Sequence, residues 1–329
     1  MSTITAEPTT SSARAAAAPA PAPVAKPQPV FRPGHGHWIT KAIDQTLFTA
    51  PKYQFDHPKW ETHDEGEAIL KRDGYLVIPH MFTDQEADKL LHRLVHDGEP
   101  DAAYEHKNWC FNKTLGLEYQ EKPDWLWALD KDRGIEQLDR LLGSDCRIMH
   151  GGLWSTGPGR KMGLHVDHRA MILPDDMELP APFEMPCYLA VLIGALEDQT
   201  PEMGPTMFIP GSHRRAVGPM QAPITPLAVV LKKGDGLLLR GDVCHGAAMN
   251  TGPARRNHFH STWGNVYVEP FLPPVTLSKY WDPSVLAGAT PRQRRILGGW
   301  GHANGGREGI WARENGIDPN KIGVPAYGT

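Results

Sequence analysis

The stretch GLHVDHRAM, Gly163 to Met171, places two histidines and an aspartate within four positions. Read as a strand, "LHVDH" alternates its faces: His165 and Asp167 point one way and Val166 the other. His168 falls out of phase with that pair. An imidazole and a carboxylate converging on one face supply two-thirds of a 2-His-1-carboxylate set. Such a set holds non-haem Fe(II) and leaves coordination positions open on the opposite side. The same two residues also suit an ordinary salt-bridged surface pair, so the surrounding sequence has to decide.

The sequence on either side is rich in strands. From Arg147 onward, short runs with β signatures alternate with Gly/Pro turns: "RIMHGGLWST", "PCYLAVLIGALED", "TMFIPGSH", "PLAVVLKKGDGLLLRGD" and "RRNHFHSTWGNVYVEP". Many short strands at close spacing predict a β-sandwich or barrel. Helices come before them. "TDQEADKLLHRLVHDG" is the clearest, with Thr83 as N-cap, Glu86 three positions on as a capping box, and Gly98 as its stop. Leu90, Leu91, Leu94 and Val95 form its expected apolar stripe. "GIEQLDRLLGSD" reads as a second helix closed by Gly143. "GEAILKRDGYLVIPHMF" reads as a helix end, a turn and a short strand built on Leu76, Val77 and Ile78. The last sixty or so residues return to Gly- and Pro-rich irregular sequence with a basic patch, "TPRQRRILGGW".

Composition narrows the function classes. The Ala/Pro tract over residues 1–34 has little to bury and is expected to be disordered or extended. It lacks the continuous apolar region of a secretory signal. No run is long and apolar enough for a transmembrane helix, so no membrane partner is expected. A net charge of −4 predicts no nucleic-acid surface. Cys110, Cys146, Cys187 and Cys244 are scattered without a C-x-x-C pair, which fits a reducing, cytoplasmic setting. The 16 histidines invite a search for metal ligands.

A third ligand must come from elsewhere in the chain. "GDGLLLRGDVCHGAAMN" offers His245 at a tight bend after a strand-like run, about eighty residues beyond Asp167. His245 alone could equally be structural, but H-x-D followed at that distance by a histidine is far more specific than either part. An open iron site using 2-oxoglutarate also needs a cation for the far carboxylate. Arginine suits this because its fork grips a carboxylate through two hydrogen bonds and stays charged when desolvated. "NTGPARRNHFH" supplies Arg255 and Arg256. Arg256 shares a face with His258 and His260, and Arg255 with Asn257 and Phe259, so alternation does not choose between them.

These residues together resemble the phytanoyl-CoA dioxygenase family of Fe(II)/2-oxoglutarate-dependent oxygenases, from about Gly74 to Val268. The matching segments are "DGYLVIPHMFTDQEADKL", "HVD", "LEDQTPEMGPTMFIPGSHR" and "GDGLLLRGDVCHGAAMNTGPARR". The resemblance implies a mainly β fold with flanking helices around a double-stranded β-helix, a cupin-like jelly roll. It implies one oxygenase domain over 35–329, with its core at about 74–268 and a loop-rich extension at 269–329. It matches His165, Asp167 and His245 to the iron ligands. It favours Arg256 over Arg255 for 2-oxoglutarate. Some relatives carry a hydroxyl two residues after the distal histidine, where this chain has Ala247, so that contact is lost or replaced.

The resemblance also implies the chemistry. Fe(II), 2-oxoglutarate and O2 would hydroxylate an unactivated C–H of a small molecule and release succinate and CO2. Desaturation or cyclisation by the same oxidant is the alternative. Related halogenases replace the carboxylate ligand by Gly or Ala, and Asp167 argues against that branch. A vestigial jelly-roll binding protein would lack a ligand or the arginine. A zinc hydrolase would want a general base beside the metal-bound water, and it would leave Arg256 unexplained. The substrate is not identified. "RAMILPDDMELPAPFEMP" is expected to be a lid. Trp109, Trp125 and Trp127 either wall the pocket or pack helices. His213 of "PGSH" reads as a structural turn residue, Asp242 as ordering the turn before His245, and His258 and His260 as pocket-lining.

Overall fold

The computed structural model describes residues 45–100, 111–116, 126–168, 186–214, 223–265, 268 and 288–297. The expectations for the 1–34 tail, for the lid over 169–185, for Trp109, Trp125 and Cys110, and for most of the extension lie outside the described residues.

Helix α1 (His63–Asp73) opens on a capping box in which the Thr62 hydroxyl accepts from the Glu65 N–H and the Glu65 carboxylate accepts from the Thr62 N–H. It ends at Gly74, whose φ of 82° is the left-handed C-terminal cap that glycine adopts without strain. Strand β1 (Lys52–Gln54) precedes it and β2 (Tyr75–Ile78) follows. Helix α2 (Asp84–Asp97) carries the Thr83–Glu86 capping box read from sequence. Its buried stripe is Ala87, Leu90 and Leu94, with Leu91 only partly buried and Val95 53% exposed. The expected stripe was one position too wide: Val95 lies about 100° around the helix from Leu94, past the edge of the contact. Helix α3 (Leu126–Leu129) and α4 (Asp132–Leu142) complete the set that precedes the barrel, and Gly143 closes α4 as expected.

The remaining strands are β3 (Glu99–Pro100), β4 (Phe111–Gly116), β5 (Arg147–Thr156), β6 (Met162–His165), β7 (Leu189–Ala195), β8 (Thr206–Phe208), β9 (Leu227–Val229), β10 (Gly236–Arg240), β11 (His245–Ala247) and β12 (Arg256–Gly264). They form a seven-stranded sheet, ordered β2-β10-β7-β12-β5-β4-β3, and a five-stranded sheet, ordered β1-β9-β8-β11-β6. Among the described residues every strand pairing is antiparallel except β1 with β9. This is the expected jelly roll.

Alternation sorts side chains between two cores. Tyr75, Val77, Val191, Ile193, Leu237 and Leu239 join Phe208 and Val229 inside the barrel. Their strand neighbours Leu76, Ile78, Leu192 and Leu238, with Phe259 and Trp263, pack beneath the helices. A sheet covered on both faces needs nearly continuous apolar strands, and "YLVI" and "LAVLIGA" are such runs. Burying a side chain such as Phe259 contributes about 1.5–3 kcal/mol.

Part of the basic patch near the C-terminus departs from the irregular structure expected. Helix α5 (Pro291–Ile296) is capped by Thr290 and buries Ile296 and Leu297 in the helix-side core. Arg295 forks onto the Asp139 carboxylate of α4 at 2.7 and 2.9 Å, and Arg292 pairs with Asp130 and Asp132. Two of its three arginines thus meet carboxylates on α4 and the link before it, and Arg294 donates to the Ala289 carbonyl. Trp127 likewise lies under the ammonium of Lys131 and edge-on to Phe82, which makes it a helix-packing residue.

Candidate metal centre

Strand β6 ends at His165, so the strand reading of "LHVDH" holds only for its first half. The backbone then bends, and the N–H groups of Asp167 and His168 both donate to the Gly241 carbonyl, at 2.8 and 3.1 Å. The bend keeps Asp167 beside His165 and sends His168 towards Tyr188. Across the ladder, His245 at the start of β11 is the register partner of His165. The two rings lie 4.5 Å apart between centroids.

His165 Nε2 is 3.5 Å from one Asp167 oxygen and His245 Nε2 is 3.6 Å from the other. The ligand atoms of all three residues lie within 4.8 Å of one another, and no other such group occurs among the described residues. Both imidazoles are oriented by the same device. His165 Nδ1 is 2.8 Å from the Gly163 carbonyl and His245 Nδ1 is 2.9 Å from the Val243 carbonyl, each two residues upstream. An Nδ1–H donated there leaves Nε2 bare and aimed at the shared point.

The electrostatics suit a cation. Burial pushes the Asp167 carboxyl up, but the neighbouring His245, His165 and His260 outweigh it and hold it at about 2. Burial lowers His245, and Asp167 offsets this only in part. For His165 burial also lowers the pKa, but the Asp167 hydrogen bond and charge outweigh it and the net shift is upward. One carboxylate and two imidazoles that can each offer Nε2 fit a divalent ion of the Fe(II) type.

Two supports of this centre, the Gln45 side chain and the Ser212 bond to Cys244, were not legible in sequence. Gln45 uses its side-chain amide as a strand mimic: its nitrogen donates to the Leu164 carbonyl at 3.1 Å and its oxygen accepts from the Leu164 N–H at 3.0 Å. β6 is the edge of its sheet, and Gln45 pairs that edge beside His165. Ser212 of "PGSH" accepts from the Cys244 N–H at 2.8 Å, which ties that turn to the residue before His245. His213 is buried and structural, its Nε2 against the Lys71 carbonyl at 2.9 Å. Asp242 forms a buried two-pronged pair with Arg240, both contacts at 2.9 Å, and so orders the turn as expected. The Arg-Gly-Asp tripeptide is therefore internal.

The arginines separate. Arg255 is exposed and precedes β12, while Arg256 begins the strand and is buried. Arg256 shares the barrel-facing side of β12 with His258 and His260, and the Phe259 face turns to the helices. The Arg256 guanidinium donates to the Thr206 hydroxyl at 2.9 Å and approaches the Thr156 hydroxyl at 3.5 Å. His260 stacks on Trp154, with ring centroids 3.7 Å apart. Burial first and Arg256 second drive the His258 pKa well below its ordinary value, so this ring is neutral.

A profile of the phytanoyl-CoA dioxygenase (PhyH) family matches residues 70–258, more than half of the chain. The chain belongs to the phytanoyl-CoA dioxygenase family. It is an Fe(II)- and 2-oxoglutarate-dependent oxygenase-type enzyme. Solved structures share the fold. HygX from Streptomyces hygroscopicus, with nickel, 2-oxoglutarate and hygromycin B bound, is 18% identical with a TM-score of 0.52, covering 63% of this chain and 89% of its own. The 2-oxoglutarate-dependent epimerase SnoN from nogalamycin biosynthesis is 17% identical with a TM-score of 0.50, over 65% and 88% of the two chains. The carbocyclase SnoK from nogalamycin biosynthesis is 20% identical with a TM-score of 0.50, over 68% and 94%. No curated protein matches the sequence significantly. No helix among the described residues is long and apolar enough to cross a membrane.

Proposed function

We propose that His165, Asp167 and His245 hold Fe(II), that Arg256 holds the far carboxylate of 2-oxoglutarate, and that the enzyme hydroxylates an unactivated C–H of a small organic molecule. The observation that carries this reading is the convergence of two imidazole nitrogens and a carboxylate within 4.8 Å of one another. Bound iron and 2-oxoglutarate together supply the oxidising chemistry, with O2 consumed and succinate and CO2 released.

The protein's own residues orient the reactants and exclude water. The carbonyls of Gly163 and Val243 hold the two imidazoles in one tautomer, and Asp167 contributes the negative charge that retains the cation. Arg256, buried at the start of β12, offers a fixed fork to a dicarboxylate. Neutral His258 beside it adds no second positive charge. The stacked Trp154–His260 pair borders the same side of the sheet and gives a small organic substrate a flat surface to rest on. Asp167 occupies the carboxylate position, which favours hydroxylation. The similar solved structures include an epimerase and a carbocyclase, so hydrogen abstraction without oxygen transfer is the competing outcome.

Anaerobic protein mixed with Fe(II) and 2-oxoglutarate tests this. A weak visible charge-transfer band is expected in wild type and in Arg255→Ala, and loss of most of it in Arg256→Ala. A wild-type protein that binds Fe(II) yet forms no band sinks the proposal.

A further inference from the structure

We infer that residues 45–54 form a strap that fixes the metal centre from behind, with Gln45 as a positioning residue for His165, so that docking of the strap and occupancy of the metal site stabilise each other. The inference rests on the reading of His165, Asp167 and His245 as the metal ligands.

The strap lies at the back of those ligands. Leu164 precedes His165, Val166 separates it from Asp167, and Cys244 precedes His245. Neighbours along an extended chain face opposite ways. These three side chains form one buried cluster with Ile209, and Phe48 and Ile224 pack against it. The cluster therefore backs all three ligands, and Phe48 is the strap's share of its cover.

The strap also reaches from one edge of the five-stranded sheet to the other, since β6 and β1 are its two edge strands. At the β6 edge Gln45 opens a single 3-10 turn, Gln45–Leu47. Phe48 then forms a parallel bridge with Ile224. The Ile224 N–H donates to the Leu47 carbonyl and the Thr49 N–H to the Ile224 carbonyl, both at 2.9 Å. β1 completes the crossing by pairing with β9.

Gln45 holds the peptide that aims the ring. An edge strand presents N–H and C=O groups without a ladder partner. The Gln45 amide has a donor side and an acceptor side, and it satisfies both groups of Leu164, at 3.1 and 3.0 Å. Leu164 lies between His165 and Gly163, whose carbonyl is 2.8 Å from His165 Nδ1. Fixing Leu164 thus fixes both the backbone that carries the ring and the carbonyl that orients it. Gly163 admits this approach, because a Cβ there would lie 3.1 Å from the Gln45 side-chain oxygen. Among the described residues β6 pairs otherwise only with β11.

Anaerobic Fe(II) titration of Gln45→Met tests this, because methionine keeps the length of the side chain and removes both hydrogen bonds. Fe(II) affinity is expected to fall about tenfold, within the range for outer partners of metal ligands. Ile296→Ala, in the helix-side core, should destabilise the fold and leave Fe(II) affinity at the wild-type value. Linkage makes the coupling reciprocal. Fe(II) should therefore slow amide hydrogen exchange across residues 45–54 in wild type, and much less in Gln45→Met. Wild-type Fe(II) affinity in Gln45→Met, an equal loss in Ile296→Ala, or strap exchange that Fe(II) leaves unchanged in wild type overturns the inference. Unchanged Fe(II) affinity in His165→Ala overturns the assignment beneath it instead.

Discussion

His213 illustrates how a single residue near the centre serves structure alone. It lies between the start of β2 and the turn before β11, with its Nε2 on the Lys71 carbonyl. Burial, then Arg240 and more weakly Arg214, push its pKa down, and Asp242 only partly opposes them. In the folded state the ring therefore binds its proton later, on acidification, than in the unfolded chain. Below the ordinary histidine pKa of about 6.5 the unfolded state gains protons that the folded state does not, so stability falls as pH falls through that window. His213→Gln is expected to flatten this decline when denaturant midpoints are compared at about pH 7.5 and about pH 5.5, on either side of that value. A slope identical to wild type would show that the ring is not held neutral. At this scale the sequence was informative where chemistry is local. H-x-D and the distant His245 named three residues that the fold brings together, because metal binding demands those residue types and the structure places them within reach of one point. The roles of Gln45 and the partner of Ser212 were not legible, because each bond joins residues far apart in the chain.

At the scale of elements, the centre depends on how closely β11 approaches β6. A Cβ on Gly246 would lie 2.6 Å from the Met162 carbonyl oxygen and 2.8 Å from that of Gly163. Both are backbone atoms that cannot swing aside. Gly246→Ala should push the strands apart, costing about 1–3 kcal/mol of stability, the range for overpacking a well-packed core. It should also weaken Fe(II) binding, because His165 and His245 sit on those two strands. Equilibrium unfolding and metal titration read the two effects, and a variant with wild-type metal affinity would contradict this account of the close approach. The docking of α5 has its own test. Ile296 is 1% exposed, and Ile296→Ala should cost about 2–5 kcal/mol in denaturant unfolding. A loss near zero would mean that α5 does not seal the helix-side core. The sequence marked α2, α4 and most strands through caps and apolar runs. It did not mark α5, a six-residue helix whose sequence has three arginines and reads as a solvated patch until the carboxylates on α4 and the link before it are placed beside it. Strand β1 escaped for a related reason: three residues with no buried face carry no periodicity.

Over the whole molecule, the jelly roll divides labour between its two sheets. The five-stranded sheet brings His165 and His245 together, and the seven-stranded sheet contributes Arg256 with the His258–His260 face. On the proposed assignment, metal and co-substrate are held from opposite walls, and the Arg256–Thr206 hydrogen bond links the two sheets. The architecture was readable from the succession of short strands, and the family from several matched segments in order. What acts on the substrate was less readable, because the solved structures that share this fold include an epimerase and a carbocyclase. The most direct test of the central claim is a crystal structure of the protein grown anaerobically with Fe(II) and 2-oxoglutarate, with anomalous differences recorded at the iron edge. The account predicts one strong peak contacted by His165 Nε2, an Asp167 oxygen and His245 Nε2, with the far carboxylate of 2-oxoglutarate on Arg256. A peak held by other residues, or 2-oxoglutarate bound away from Arg256, would contradict it.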